Sequence, residues 1–219
     1  MKEDRCYVTS GVLNDIVVNM FHENILWDAK KFAFEKHKGQ RRKDEGKPYI
    51  VHPLRVSSII EKLTHSIELQ VAAILHDLVE DSDVTIKDIE KKFNKRIASL
   101  VQELSTDGKA LDKLWEDIKK EIKQEDLDKV DIQVDNDQKT KRLAKSRYLL
   151  NKMLGMSDDA LTIKLADRLD NITSAIRKSQ EKFREAYKWE TRQILTNLEK
   201  QRALTQNQQF LADAIKKII

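Results

Sequence analysis

Both prolines of this chain and two of its five glycines fall inside one short stretch, GQRRKDEGKPYIVHP (39–53). Everywhere else in the 219 residues almost nothing frees or fixes the backbone. A sheet with tight turns needs Gly, Pro, Asn and Asp at short intervals, so this scarcity points to long helices with few breaks. The apolar spacing agrees and predicts an all-α fold, a helical bundle. One helix is expected over about 10–24, capped by Ser10, with Val12, Leu13, Ile16, Val17 and Met20 on one face. A second over 25–37 turns Leu26, Ala29, Phe32, Ala33 and Phe34 inward. Pro53 suits the first turn of a third, over 53–63.

SIELQVAAILHDLVED reads as one buried helix over 66–81. Thr85 and Asp88 form a capping-box-like pattern for the next helix, and Asn94 separates that helix from another. Leu111, Leu114, Trp115, Ile118 and Ile122 keep helical spacing in a very charged region. KQEDLDKVDIQVDNDQKT (123–140) then weakens the pattern and reads as a mobile loop. SDDALTIKLADRLDNITSAIRK is again a largely buried helix. Residues 181–219 look like one or two amphipathic helices, with Trp189, Ile194, Leu195, Leu198, Leu204, Phe210, Leu211, Ile215 and Ile218 on the apolar side.

Composition excludes several classes. Lys and Arg number 41 against 37 Asp and Glu, a net charge of +4. That is too balanced for a dedicated nucleic-acid binder, yet it favours approach of an anionic small molecule. No apolar run reaches the ~20 residues of a membrane span. MKEDRCYVTSGVLND has no apolar core of a signal peptide. The lone Cys6 leaves no internal disulfide, which suits a reducing cytoplasm.

The chemistry concentrates in LHDLVEDSD (75–83). On a helix, His76 aligns with Glu80 and Asp77 with Asp81. An isolated His–Asp pair is most often simply hydrogen-bonded, but a metal ion would offset the cost of burying the carboxylate. Further ligands must come from elsewhere, and His37, at the end of its helix, and Asp167, in IKLADRLDN, are the candidates. His37, His76, Asp77 and Asp167 form a two-His, two-Asp set that suits Mn²⁺, Fe²⁺ or Zn²⁺ and leaves positions for water and substrate. Glu80 and Asp81, one turn on, are placed to orient or deprotonate a water. His52 reads as a residue that orients the loop by hydrogen bonds, with a place behind the ligands as the alternative. His22 and His65 read as surface residues. Arg41, Arg42 and Lys43 are placed to clamp phosphates, with Lys109 and Lys113 as weaker candidates.

Three stretches carry a resemblance: FAFEKHKGQRRKDEGKPYIVHPLRV, AAILHDLVEDSDVTIKDIEKKF and IKLADRLDNI, in this order. They resemble the hydrolase domain of the RelA/SpoT family, and within it the stand-alone Mesh-type small alarmone hydrolases. The tail REAYKWETRQILTNLEKQRALTQNQQFLADAIKKI is similar too. The resemblance implies an all-α HD-domain fold over 25–219; it does not cover 1–24, read as a helical extension, or 115–150, read as a charged, solvated insert. It implies Mn²⁺-dependent removal of the 3′-pyrophosphate of guanosine tetra- or pentaphosphate, giving GDP or GTP. By matching motif, His37, His76, Asp77 and Asp167 fall on the metal ligands and Glu80 and Asp81 on the water-activating acids. Asn171, Tyr187 and, by helical spacing, Ser174 fall beside the substrate. Two positions depart from the family: Asp170, where His or Tyr is common, and Asp28, where some members carry a basic residue. The Asp170 charge would bear on base preference. The alternatives are a phosphatase on another nucleotide such as NADPH or pppApp, and a degenerate, regulatory HD domain. The charged insert and amphipathic tail leave room for a homo-oligomer. No synthetase domain is expected to follow.

Overall fold

The computed structural model describes residues 24–42, 46–106, 116–178 and 180–219. The expectations for the helix at 10–24 and for Cys6, His22, Lys43, Lys109, Leu111, Lys113, Leu114 and Trp115 lie outside the described residues. In chain order the helices are α1 (24–36), α2 (Val51–Glu61), α3 (Ile67–Leu75), α4 (Leu78–Asp81), α5 (Ile86–Lys92) and α6 (Lys95–Leu104). There follow α7 (described over 116–121), α8 (Gln124–Asp128), α9 (Asn136–Leu154), α10 (Asp158–Ala175), α11 (Glu181–Gln201) and α12 (Gln206–Lys216). Among the described residues there is no strand, only an isolated antiparallel bridge between Arg41 and Pro48.

Short polar side chains set the helix starts. Ser66, Thr85, Asn94, Asp135, Ser157 and Thr205 each accept a backbone N–H from the first turn they precede. Such a cap is worth about 1 kcal/mol. The Thr85–Asp88 box is present in both directions, and Asn94 starts α6 as the spacing predicts. Helix α10 is the axis of the bundle and packs against α2, α3, α6, α11 and α12. Its Leu161, Ile163, Leu165 and Ile172 are wholly buried, and burial of each contributes about 1.5–3 kcal/mol.

Three expectations change. The helix at 66–81 is interrupted, because α3 ends at Leu75 and α4 begins at Leu78. His76 itself ends α3: its Nδ1 donates to the Ala73 carbonyl at 2.8 Å, one of the acceptors a helix end leaves free. The charged segment is not a loose insert. Leu127 is buried in α8, and Val130 and Ile132 form a second small core with Ala186 and Trp189 of α11. Their apolar residues sit in turns, so no helical period reveals them. Phe34 and Phe210, expected inside, are 59% and 62% exposed.

The Gly-rich stretch is a folded loop. Gly39 and Gly46 have φ of 83° and 64°, the left-handed region that glycine enters without penalty. Arg42 N donates to Lys47 O, and Tyr49 N to Gln40 O, at 2.9 and 3.0 Å. These bonds tie the Gln40–Arg42 side of the connection between α1 and α2 to its Lys47–Tyr49 side.

Candidate metal centre and adjoining cleft

Three elements converge on α10. The break after α3 supplies His76 and Asp77, the start of α2 supplies His52, the loop supplies Tyr49, and α10 supplies Asp167. Ligand-type atoms of His52, His76 and Asp77 lie within 4.8 Å of one another. Asp167 Oδ1 is 3.2 Å from His52 Nε2 and 3.9 Å from His76 Nε2. The carboxylate of Asp77 is 3.1 Å from His76 Nε2 and 3.6 Å from His52 Nε2. All three other residues are buried, and Asp77 is nearly so.

The protonation pattern follows from the partners. A carbonyl only accepts, so His76 carries a hydrogen on Nδ1 and turns Nε2 toward Asp77 and Asp167, a lone pair whenever the ring is neutral. That Nε2 is buried and has no hydrogen-bond partner. Burial would lower the His52 pKa, but hydrogen bonds to Asp167 and Asp170 and the charges of Asp167 and Asp77 raise it to about 9. His76 is raised as well, against its burial, chiefly by Asp77. Two buried carboxylates thus draw positive charge into the cluster, as protons or as a cation. Two imidazole nitrogens and two carboxylates fit a divalent transition ion.

His37 follows the end of α1 and packs beside this group. It is 3% exposed, and its ring packs on Tyr49 with centroids 4.8 Å apart; Tyr49 in turn lies 6.1 Å from His52. Its Nε2 is also buried without a partner, but its Nδ1 is bonded to Gln40 Oε1 at 2.7 Å. Gln40 Nε2 then donates to the Asp81 carbonyl. His52, read from the sequence as a residue that orients the loop, stands within the cluster, while His37, read as a ligand, packs on Tyr49 beside it.

The departure at Asp170 is explained by the same geometry. Asp170 is 6% exposed and accepts from His52 Nδ1 at 2.7 Å and from Arg55 Nε and Nη2 at 2.6 and 3.1 Å. It faces α2, as does Ser174, 4% exposed and 3.4 Å from Arg55 Nη2. Ser174 therefore does not line the cleft. The i, i+4 row of Asp170 and Ser174 meets α2, while the row of Asn171 and Ala175 meets the cleft. Asp28 and His65 lie outside the cluster and the cleft, and Asp28 is exposed.

Tyr49 donates to Asp77 Oδ2 at 2.8 Å. Burial and the Asp77 charge hold its hydroxyl far above the ordinary range, so it stays a neutral donor. Lys164 Nζ and Asn171 Nδ2 donate to Asp167 at 2.8 and 2.5 Å. Glu80 Oε1 accepts from Thr106 N at 2.6 Å, and Lys152 Nζ donates to Thr106 Oγ1 at 2.8 Å. Burial and the Lys164 charge push Lys152 down to about 8.

Beside the cluster lies a cleft of about 360 Å³. Arg41, Arg42, Tyr49 and Asp81 form one side; Asn171, Lys178, Phe183 and Tyr187 form the other. Arg42 Nη2 donates to Asn171 Oδ1 at 3.1 Å across it. Of the residues the sequence placed beside a substrate, Arg41, Arg42, Asn171 and Tyr187 are here; Tyr49, Lys178 and Phe183 were missed. The rings of Phe183 and Tyr187, one turn apart on α11, stack at 6.0 Å and 15°. Their i, i+4 spacing was the available signal. Cations cover the stack, with Lys178 Nζ 3.8 Å from the Phe183 centroid and the Arg168 guanidinium 4.6 Å from that of Tyr187.

The chain is similar to several known proteins. The guanosine-3′,5′-bis(diphosphate) 3′-pyrophosphohydrolase MESH1 of Homo sapiens is 47% identical over 93 residues, 41% of this chain and 51% of that protein. A guanosine-3′,5′-bis(diphosphate) 3′-pyrophosphohydrolase of Aquifex aeolicus is 42% identical over 88 residues, 40% of this chain and 12% of that protein. The aligned parts thus span about half or less of these relatives' length. The solved structure of a metazoan ortholog of SpoT that hydrolyzes ppGpp matches with a TM-score of 0.63 and 28% identity, over 88% of this chain and 94% of that one. Among the described residues no helix is long and apolar enough to cross a membrane. Since the HD-domain family model matches residues 29–203, from the first core helix to the end of α11, the chain belongs to the HD-domain family.

Proposed function

We propose that the protein is a metal-dependent hydrolase that removes the 3′-pyrophosphate of guanosine tetra- or pentaphosphate, with residues 25–219 as the catalytic unit. The observation that carries this reading is His76 Nε2, a buried lone pair without a partner, set between two carboxylates and a second imidazole. His76, Asp77 and Asp167 would hold the ion, with His52 as the fourth ligand and His37, whose buried Nε2 is likewise unpartnered, as the alternative. Mn²⁺ suits this mixed set, with Fe²⁺ or Zn²⁺ as alternatives. Bound there, the ion would acidify a water and offset charge on a phosphorus-linked oxygen.

The chain's own groups do the rest. Asp81 faces the cleft and would accept a proton from the attacking water, with Glu80, held by the Thr106 N–H, as the second acid of the pair. Arg41 and Arg42 neutralise the phosphates. The Phe183–Tyr187 stack offers a flat surface to the base. The water oxygen bonds to the phosphorus attached at O3′, and the bond from that phosphorus to O3′ breaks. One water proton passes to the carboxylate pair and O3′ gains a proton, leaving GDP or GTP and pyrophosphate. Asp170 orients His52 through Nδ1, as carboxylates commonly do behind a ligating histidine. Asp170→Asn is expected to lower affinity for Mn²⁺ by about 10–100-fold in a metal titration.

A panel of ppGpp, pppGpp, pppApp and NADPH with Mn²⁺ tests the reading. Equal amounts of GDP and pyrophosphate are expected from ppGpp, and His76→Ala removes this activity. Preferred orthophosphate release from NADPH, or preferred cleavage of pppApp, would overturn the substrate. No turnover and no bound ion would leave a regulatory domain.

A further inference from the structure

A second cavity, of about 160 Å³, lies between α9, α10 and α11 and shares Asn171 and Tyr187 with the aromatic cleft. Its lining includes Lys145, Lys164 and Arg168 and one acid, Asp167. We propose that this cavity is an anion subsite that holds the pyrophosphate end of the substrate, while the cleft holds the nucleoside. The inference rests on the hydrolase reading and adds to it where each half of the substrate lies.

The charges support an anion. Lys164 pairs with Asp167 at 2.8 Å, and Arg168 with Glu190 at 2.9 Å. Arg142 and Lys145 also approach Glu190, at 2.9 and 3.9 Å. Four cations therefore share two carboxylates, and Asp167 also faces the histidine cluster. The Arg168 Nε is buried and has no hydrogen-bond partner, an unmet donor in the cavity wall. The division of surfaces fits the two halves of the substrate. The stacked pair Phe183 and Tyr187 lines the cleft, whereas the inner cavity has the ammonium groups and only the edge it shares through Tyr187. Asp167 lines the inner cavity and Asn171 both, so the cluster sits at the seam where the 3′ bond would be cut. Lys145 is the member to test: it contacts none of the cluster, and its side chain is 45% exposed.

Calorimetric titration of the Mn²⁺-loaded full chain with inorganic pyrophosphate, and separately with GDP, tests the subsite. Lys145→Ala is expected to weaken pyrophosphate about tenfold, the scale of one charge-assisted hydrogen bond. Lys145→Glu weakens it further, Lys145→Arg retains it, and GDP affinity stays unchanged in all three. An unchanged pyrophosphate affinity in Lys145→Glu overturns the proposal, as does a parallel loss of GDP binding. Circular dichroism of each variant identifies any that fails to fold; Lys145→Arg, with charge and length kept, then carries the comparison. Binding is read without turnover. A protein that binds pyrophosphate through Lys145 but cleaves no ppGpp keeps the subsite and loses the hydrolase reading. A protein that cleaves ppGpp with pyrophosphate binding indifferent to Lys145 does the reverse.

Discussion

His52→Ala is expected to remove both bound Mn²⁺ and hydrolysis, lowering kcat/KM by about a thousandfold or more, since a catalytic ion contributes several kcal/mol. His37→Ala is expected to leave the metal content intact. It breaks one hydrogen bond, His37 to Gln40, and so loosens the support under the Asp81 backbone. A neutral hydrogen bond contributes about 1 kcal/mol, so kcat should fall less than about tenfold. Elemental analysis of the two purified variants, with their kinetics, separates the histidines. Metal lost from His37→Ala and kept in His52→Ala would reverse the assignment. The contrast is sharp because both rings are almost wholly buried and both border the same loop, yet only His52 points an Nε2 at Asp77 and Asp167.

The second large effect concerns folding. Glu190 is wholly buried and joins Arg142 of α9 to Arg168 of α10 from α11, each at 2.9 Å. Glu190→Ala leaves these guanidinium groups facing one another without their counter-ion. Removing one partner of a buried ion pair costs about 3–5 kcal/mol, so thermal and urea unfolding should both shift by that amount. Glu190→Gln keeps the shape and some hydrogen bonding, and should cost less. The charge also sets a pH dependence. Burial alone would raise the Glu190 pKa, but Arg168, Lys145 and Arg142 bring it below its ordinary 4.5. The unfolded chain then takes up the proton first. The stabilisation is complete above the unfolded value and is lost as pH falls through the lower folded value. Urea midpoints of wild type and Glu190→Gln should therefore converge under acid. Midpoints that stay equally far apart at low pH would assign the difference to packing instead. Because Arg168 also covers Tyr187, the same variants should disturb the cleft wall.

Much of this was legible in the residues. The scarcity of Gly and Pro gave an all-helical chain, and short polar residues before apolar periods marked helix starts such as Thr85 and Asn94. The islands LHDLVED and KLADRLDN marked where charge enters the core, because burying a carboxylate demands a partner. Local pattern did not reach the turn-borne apolar residues Val130 and Ile132, whose core is completed by Trp189 from far along the chain. Nor did it separate Ser174 from Asn171, since they follow Asp167 by two helical turns and one, close to the same face.

The sequence by itself determined the helices, their caps and the residue types of the centre: imidazoles and carboxylates in apolar surroundings, with arginines nearby. These follow from short-range rules, periodicity and the cost of buried charge. The tertiary structure alone decided which histidine meets which aspartate. The packing of α2 on α10 brings His52 to Asp167, while His37, following α1, packs on Tyr49. It also decided the role of Asp170, which the packing of α2 on α10 makes a partner of His52 and Arg55 rather than a charge in the cleft. Contacts between residues more than a hundred positions apart depend on how whole helices pack, and no local spacing encodes them.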